Sequence, residues 1–272
     1  MATAEIISIG NELLLGDVLD TNSHWLCRQL TGLGARVQRV TMVRDDPAAI
    51  GEVVLGALAR APDLLLTCGG LGPTADDLTL SAMAAALHRP LTLHPEAEAM
   101  VRATYTSLAA RGLVQEATLT EARRKMAYLP QGAEPLHNPI GAAPGVLLQW
   151  GSTTLICLPG VPEEMKGIFT TSLTPLLGTR LGRAIFVERI LTVNCGDESA
   201  LAPMVDQTAR HHPTVYIKSR ARPYGEGVRL LITLSASGQE QAEVDSALDA
   251  AEQELTRRLS DAGIPIVDRR VI

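Results

Sequence analysis

Three glycines and two aspartates fall within nine residues, Gly69-Gly70-Leu71-Gly72-Pro73-Thr74-Ala75-Asp76-Asp77, and the run continues through Leu78 to Thr79. Glycines at 69, 70 and 72 let backbone amides approach a phosphate with no side chain in the way. Asp76 and Asp77 place two hard oxygen ligands beside that cradle, the donor type a divalent ion such as Mg2+, Mn2+ or Co2+ takes when it bridges substrate phosphates. Thr74 joins the glycines as a ligand-binding candidate, and Thr79 is placed to cap a following helix. The simpler alternative is a glycine turn with helix-capping carboxylates, and the adjoining aspartate pair weighs against it. The chemistry indicated is binding of a phosphate-bearing small molecule, a nucleotide or a pterin, together with a divalent metal.

Further candidates sit where other strands should end. Gly10-Asn11-Glu12 follows an apolar run, so Gly10 and Asn11 are candidate ligand contacts and Glu12 a catalytic or supporting carboxylate in a loop. Asp45 is a candidate metal ligand, whereas Asp46, directly before Pro47, is a helix cap, and Asp17 and Asp20 read as loop and capping residues. Asn138, Gly141, Pro159 and Gly160 lie in two rigid Gly/Pro loops through which a substrate can meet backbone amides. Glu163 and Glu164 fall in the first turn of a helix, where the helix dipole accounts for them. Lys218, with Arg220, Arg222 and Arg229 and with Tyr216 and Tyr224 nearby, forms a basic patch that is either a contact for nucleic acid or for a phosphate presented by the first domain, or a solvated face. No G-x-S-x-G, H-E-x-x-H or G-x-x-x-x-G-K-[ST] run occurs. His211-His212 before Pro213 suits a helix end better than a metal, and Ser23-His24 on a helix points in two directions.

The elements that must position these residues follow from periodicity and punctuation. Glu5 to Gly10 is a β-branched run, Arg36 to Val43 a second strand, and Asp63 to Cys68 a third that delivers the chain into the glycine loop. Thr21 or Asn22 caps a helix ending at Gly34. Asp46-Pro47 starts another, and Thr79 to His88 a third. Strand, loop and helix in that order give a parallel, doubly wound sheet whose ligands bind outside the strands' carboxyl ends. Pro95 to Arg111 and Thr120 to Ala127 are helical, Val146 to Trp150 pairs with Thr153 to Leu158 across Gly151-Ser152, and a helix from Pro162 to about Leu177 closes this domain. Gly178 to Arg183 is the junction, which sets domains at 1–178 and 183–268. Beyond it, strand, helix, two strands, helix and strand make a small split β-α-β unit of α+β type. Pro203 implies that its first helix starts later than Asp197 or kinks.

The formal net charge of −6 removes the broad cationic field that draws proteins to nucleic acid or anionic lipid. No apolar run approaches bilayer length and the amino terminus lacks a signal-peptide pattern, so a soluble, cytoplasmic protein without membrane association is expected. Cys27, Cys68, Cys157 and Cys195 form no C-x-x-C pair and read as reduced, mostly buried thiols.

Ile9-Gly10-Asn11-Glu12-Leu13-Leu14 with Gly16, Asp20-Thr21-Asn22, Gly69 to Thr79, Asn138 to Gly145 and Leu158-Pro159-Gly160-Val161-Pro162 together resemble the amino-terminal part of the CinA (competence/damage-inducible protein) family, within the wider molybdopterin-binding group of MoaB, MogA and MoeA. The resemblance implies a three-layer α/β/α, MoaB/MogA-like domain with a mostly parallel sheet, followed by a small KH-type α+β domain. It also implies divalent-metal-dependent hydrolysis of ADP-ribose to AMP and ribose 5-phosphate. Asp77 matches the aspartate shared across the group, and Asp76, Glu12 and Asp45 are looser assignments. Many members continue into a carboxyl-terminal nicotinamide mononucleotide deamidase domain; these residues stop at Ile272, so that activity is not expected of them. Nor is a G-x-x-G loop with basic flanks present, since Gly225-Glu226-Gly227 is acidic and short, which disfavours RNA. Adenylyl transfer to molybdopterin and non-catalytic nucleotide binding are the alternatives, and a homodimer is compatible with the composition.

Overall fold

The computed structural model describes residues 2–181, 185–220 and 229–271. The chain divides into two compact units, Met1–Thr31 with Ala35–Arg180, and Leu181–Ile272 with Gly32–Gly34. Arg222, Tyr224 and the Gly225-Glu226-Gly227 loop lie outside the described residues.

In the first unit the chain runs β1 (Thr3–Ile9), α1 (Asn11–Leu15), α2 (Thr21–Gly32), β2 (Arg36–Val43), α3 (Pro47–Ala59), β3 (Leu64–Cys68), α4 (Thr79–Ala86), β4 (Leu91–Leu93), α5 (Pro95–Ala110), α6 (Glu121–Lys125), β5 (Tyr128–Pro130), β6 (Glu134–Leu136), β7 (Gly145–Trp150), β8 (Thr153–Leu158), α7 (Pro162–Ile168), a π-helical turn (Phe169–Leu173) and α8 (Thr174–Leu181). The main sheet has the order β2-β1-β3-β8-β7-β6. β2, β1, β3 and β8 are parallel; β7 and β6 add an antiparallel edge. Side chains alternate across this sheet. Ile7, Ile9, Leu65, Leu155 and Cys157 pack in one core with Ile50 and Val54 of α3, Met83 of α4 and Val101 of α5. On the other face Ser8 bonds Asp20 and Ser23 at the start of α2, and Trp25 of α2 meets Phe169 edge-on at 5.2 Å. Helices on both faces of a mostly parallel sheet give the three-layer architecture.

Local rules account for most boundaries, with three corrections. Asp46 caps α3 by accepting from Ala49 N at 2.8 Å, as expected. α2 is capped by Asp20, in keeping with its reading as a capping residue, through Ser23 N at 2.9 Å; Thr21 and Asn22 do not have that role. Thr79 caps nothing: it is fully buried and its hydroxyl donates to Gly69 O at 2.8 Å. Glu12 stands in the helix α1, not in a loop, because Gly16 closes a single turn with φ 78°. β4 and β5 pair outside the main sheet and, with α6, form an appended flap.

The second unit runs β9 (Ile185–Val193), α9 (Glu198–His211), β10 (Tyr216–Arg220), β11 (Leu230–Gly238), α10 (Gln241–Asp261) and β12 (Ile266–Val271). Its sheet, ordered β10-β11-β9-β12, is antiparallel throughout, the arrangement of a split β-α-β unit. Asp197 caps α9 at Glu198, so Pro203 lies inside the helix instead of delaying it. Val244, Leu248, Ala251, Leu255 and Leu259 recur at helical spacing and bury α10 against Leu191, Ile232 and Leu234.

His211 and His212 converge on Glu254 at 2.8 and 3.0 Å, and Arg258 donates to the same carboxylate. Arg258 first, then the histidines, hold Glu254 down from 4.5 to about 2. A lowered carboxylate contributes stability above its unfolded value, and that contribution disappears as pH falls from about 4.5 through about 2. Glu254→Gln is expected to cost about 1 kcal/mol near neutral pH, after allowing for solvent screening, and almost nothing at about pH 2. Urea denaturation of the full chain at both pH values measures this, and equal losses at the two would contradict it.

No helix among the described residues is long and apolar enough to cross a membrane. All four cysteines are free. Burial pushes Cys68 up to about 12 and Cys157 to about 11, which leaves both as neutral thiols.

Candidate functional site

The loop after β3 is fixed by backbone geometry that side chains cannot share. Gly69 has φ 114°, and a Cβ on it would stand 2.0 Å from Ile9 O at the end of β1. Gly70 has φ 67°, and its Cβ would stand 2.3 Å from the Thr79 hydroxyl. Gly69 N donates to Leu158 O at the end of β8 at 3.0 Å, and Thr79 N donates to Gly70 O at 3.2 Å. The ends of three parallel strands are therefore tied into one loop. The Gly69 amide closes the loop, so the amides of Gly70, Leu71 and Gly72 are the ones left for a ligand among the described residues. Asn22 of α2 donates to Gly160 O at 2.7 Å and holds the facing loop.

Three glycines in this region each lie under a carboxylate. A Cβ on Gly72 would stand 2.6 Å from Asp77 Oδ2, one on Gly10 2.4 Å from Glu12 Oε1, and one on Gly141 2.1 Å from Glu164 Cδ. Asp77 also accepts from Thr74 N at 2.8 Å, and the Thr74 hydroxyl reaches both Asp76 and Asp77. That hydroxyl is the main reason Asp76 is held below the usual carboxylate range, with Lys125 a smaller contributor. Lys125 Nζ itself donates to Thr74 O. Asp45 accepts from Asn11 N at 2.7 Å and so fixes the turn that presents Glu12.

Glu12, Asp45, Asp76, Asp77 and Glu164 line one cleft of about 470 Å³, floored by Gly69 to Gly72 and by Pro159-Gly160. A second chamber of about 620 Å³ adjoins it and shares Gly70, Leu71, Gly72, Asp77 and Met126. Its walls are mixed: Leu80 of α4, Leu91, Leu119 and Tyr128 supply apolar surface, and Glu121, Arg124 and Lys125 of α6 supply charge of both signs. The flap of β4, β5 and α6 thus builds one wall of the chamber. Asp77 stands where the acidic cleft meets this chamber.

Of the residues singled out by sequence, Gly10, Glu12, Asp45, Gly69, Gly70, Gly72, Thr74, Asp76, Asp77, Pro159 and Gly160 all line the acidic cleft. Asn11 contributes its backbone amide to Asp45. Asn138 and Gly141 act through Glu164: the buried Asn138 amide donates to Ala143 O and Glu164 Oε2 and accepts from Ile140 N and Gly141 N. Lys218 belongs to the second unit, on edge strand β10 opposite Thr233. Sequence reasoning missed Glu164 and took it for a dipole partner. Burial pushes its carboxyl above the usual range against the lowering effect of Asn138.

Among the described residues no three His, Cys, Asp or Glu side chains gather closely enough to hold an ion alone. Asp76 and Asp77 nonetheless converge on one hydroxyl, and one or two carboxylates are what Mg2+ takes when substrate phosphates and water complete its shell. The donor set fits an ion that arrives with its substrate.

Residues 5–179 match the family model described as "Probable molybdopterin binding domain". A protein of Pyrobaculum calidifontis is 43% identical over 94% of this chain and 95% of its own length, and one of Aeropyrum pernix is 46% identical over 92% and 91%. The crystal structure of the protein CinA with unknown function from Thermoplasma acidophilum superposes with a TM-score of 0.58 at 35% identity, covering 64% of this chain and 98% of that one.

Proposed function

We propose that this chain, which belongs to the "Probable molybdopterin binding domain" family, is a divalent-metal-dependent nucleotide pyrophosphatase that hydrolyses ADP-ribose to AMP and ribose 5-phosphate. The observation that carries the reading is the meeting of the two cavities at Gly70 to Gly72 and Asp77. A ligand with a planar ring at one end and a hydroxyl-rich sugar at the other matches a chamber with leucine and tyrosine surface joined to a cleft of carboxylate acceptors. Its pyrophosphate then falls at the junction, against the free amides of the glycine loop.

The five carboxylates of the cleft repel a phosphate that arrives alone. Asp76 and Asp77, with Asp45 close to the same cleft, would hold the ion; when bound, it screens the phosphates and stabilises the leaving group. The Gly70 to Gly72 amides receive the charge that grows on the phosphoryl oxygens, while Arg124 and Lys125 counter the phosphate on the chamber side.

With Mg2+, Mn2+ or Co2+ present, the protein is expected to convert ADP-ribose to AMP and ribose 5-phosphate in equal amounts, with the activity lost on chelation and restored by the ion. Chromatographic product analysis is the measurement. The family description, which names molybdopterin binding, favours one second reading, a molybdopterin-binding protein, for which we propose adenylyl transfer to molybdopterin as the reaction. Absence of ADP-ribose turnover with all three ions, combined with transfer of AMP to molybdopterin, would select it instead.

A further inference from the structure

We infer that Glu164 is the residue that takes the proton from the attacking water, a catalytic role that rests on the hydrolase reading above. Glu164 lies in the first turn of α7, half-buried, and lines the acidic cleft. Its Oε2 accepts from Asn138 Nδ2 at 2.7 Å. Every donor and acceptor of that Asn138 amide is engaged, by Ala143 O at 2.8 Å, Ile140 N at 3.0 Å and Gly141 N at 2.9 Å as well as by Glu164. The amide cannot turn without losing all four bonds, so one carboxyl oxygen of Glu164 is clamped. Oε1 is left with no protein partner among the described residues.

The clamp requires the glycine at 141, since a Cβ there would overlap the carboxyl group at 2.1 Å. A half-buried carboxyl held by one neutral amide gains less for the fold than a neutral side chain of the same shape, because its charge is partly desolvated and unpaired. The site therefore keeps an acid where stability favours an amide. The other carboxylates of the cleft have other tasks. Asp76 and Asp77 share the Thr74 hydroxyl, Asp45 holds Asn11 N, and Glu12 is exposed. On its own helix Glu163 pairs with Lys166 at 2.9 Å, and Lys125 is engaged with Thr74 O. Glu164 is thus without a cationic partner among the described residues. Burial pushes Glu164 up, which suits a carboxylate that has to take a proton.

In the step assigned, the water oxygen bonds to one phosphorus of the pyrophosphate as its proton passes to Glu164 Oε1. The bond from that phosphorus to the bridging oxygen breaks, and its electron pair leaves with the other phosphate. Glu164 then returns the proton to solvent.

Glu164→Gln preserves shape and keeps an oxygen for Asn138. It is expected to lower kcat for ADP-ribose by about 10²–10³-fold with KM nearly unchanged, and to remove the acid limb of the kcat–pH profile, which reports the group that must be deprotonated. Glu164→Asp is expected to recover part of the rate and a shifted limb. Independently of turnover, carboxyl 13C titration of glutamate-labelled protein is expected to show one signal titrating above the ordinary glutamate range, absent from Glu164→Gln. Wild-type turnover and an intact acid limb in Glu164→Gln overturn this role while leaving the hydrolase reading standing, and an ordinary Glu164 titration also overturns it. If the wild type turns over no ADP-ribose with any of the three ions, both fall.

Discussion

Asp77→Asn is expected to reduce ADP-ribose hydrolysis on the order of 10²–10³-fold while leaving the fold intact. The side chain's structural work is to accept from Thr74 N at 2.8 Å and from the Thr74 hydroxyl. An asparagine oxygen performs that work, and the space above Gly72 that admits the carboxylate admits an amide. What asparagine cannot supply is the negative charge at the point shared by both cavities, where the proposed reaction would bring the ion and the pyrophosphate together. The rate loss should therefore appear with an unchanged circular dichroism spectrum and a melting transition close to wild type. Undiminished hydrolysis by this variant would remove Asp77 from the mechanism.

Gly69→Ala is expected to have the largest effect on stability, roughly 2–5 kcal/mol, and to abolish nucleotide binding with it. Two costs combine at this position. The φ of 114° is foreign to alanine, and the new Cβ would stand 2.0 Å from Ile9 O and 3.1 Å from Ile9 C. Those atoms are backbone at the end of a fully buried stretch of β1, paired on both sides, and they cannot retreat alone. Gly112 separates the two costs, because it has φ 70° with nothing within 4 Å. Gly112→Ala should lose only about 1 kcal/mol for its backbone conformation. Urea denaturation of the two variants tests the distinction, and equal losses would mean that the strand ends yield to the extra methyl.

What could be read from the sequence is what local physics decides. β2 runs from Arg36 to Val43 as its β-branched pattern indicates, Asp46-Pro47 starts α3, and Gly151, with φ 55°, turns β7 into β8. The glycine loop and its aspartates were legible because they are contiguous and lie at a strand's carboxyl end. Glu164 was not, since its meaning depends on Asn138, 26 residues earlier, and on a missing Cβ at Gly141. Thr79 was misplaced for a similar reason: a threonine before a helix reads as a cap until Gly69 O is found above it. β4 and β5, three residues each and with Pro130 in one, carry too little periodicity to announce a flap. The chamber they wall was therefore invisible in the sequence.

That flap divides the site's construction between two kinds of material. The floor of the acidic cleft, at Ile9-Gly10, Gly69-Gly70 and Pro159-Gly160, is made where strands of the main sheet end, and it cannot shift without disturbing the core. The outer wall of the chamber is made from β4, β5 and α6, which lie beside the sheet and carry none of its pairing. This appended wall can therefore change its shape without disturbing a strand pairing of the main sheet, yet it is tied to the acidic cleft at one point, where Lys125 of α6 donates to Thr74 O beside Asp76 and Asp77. A change in the wall that displaces Lys125 is thus felt at the two aspartates, whereas a change in Leu91 or Tyr128 stays within the chamber.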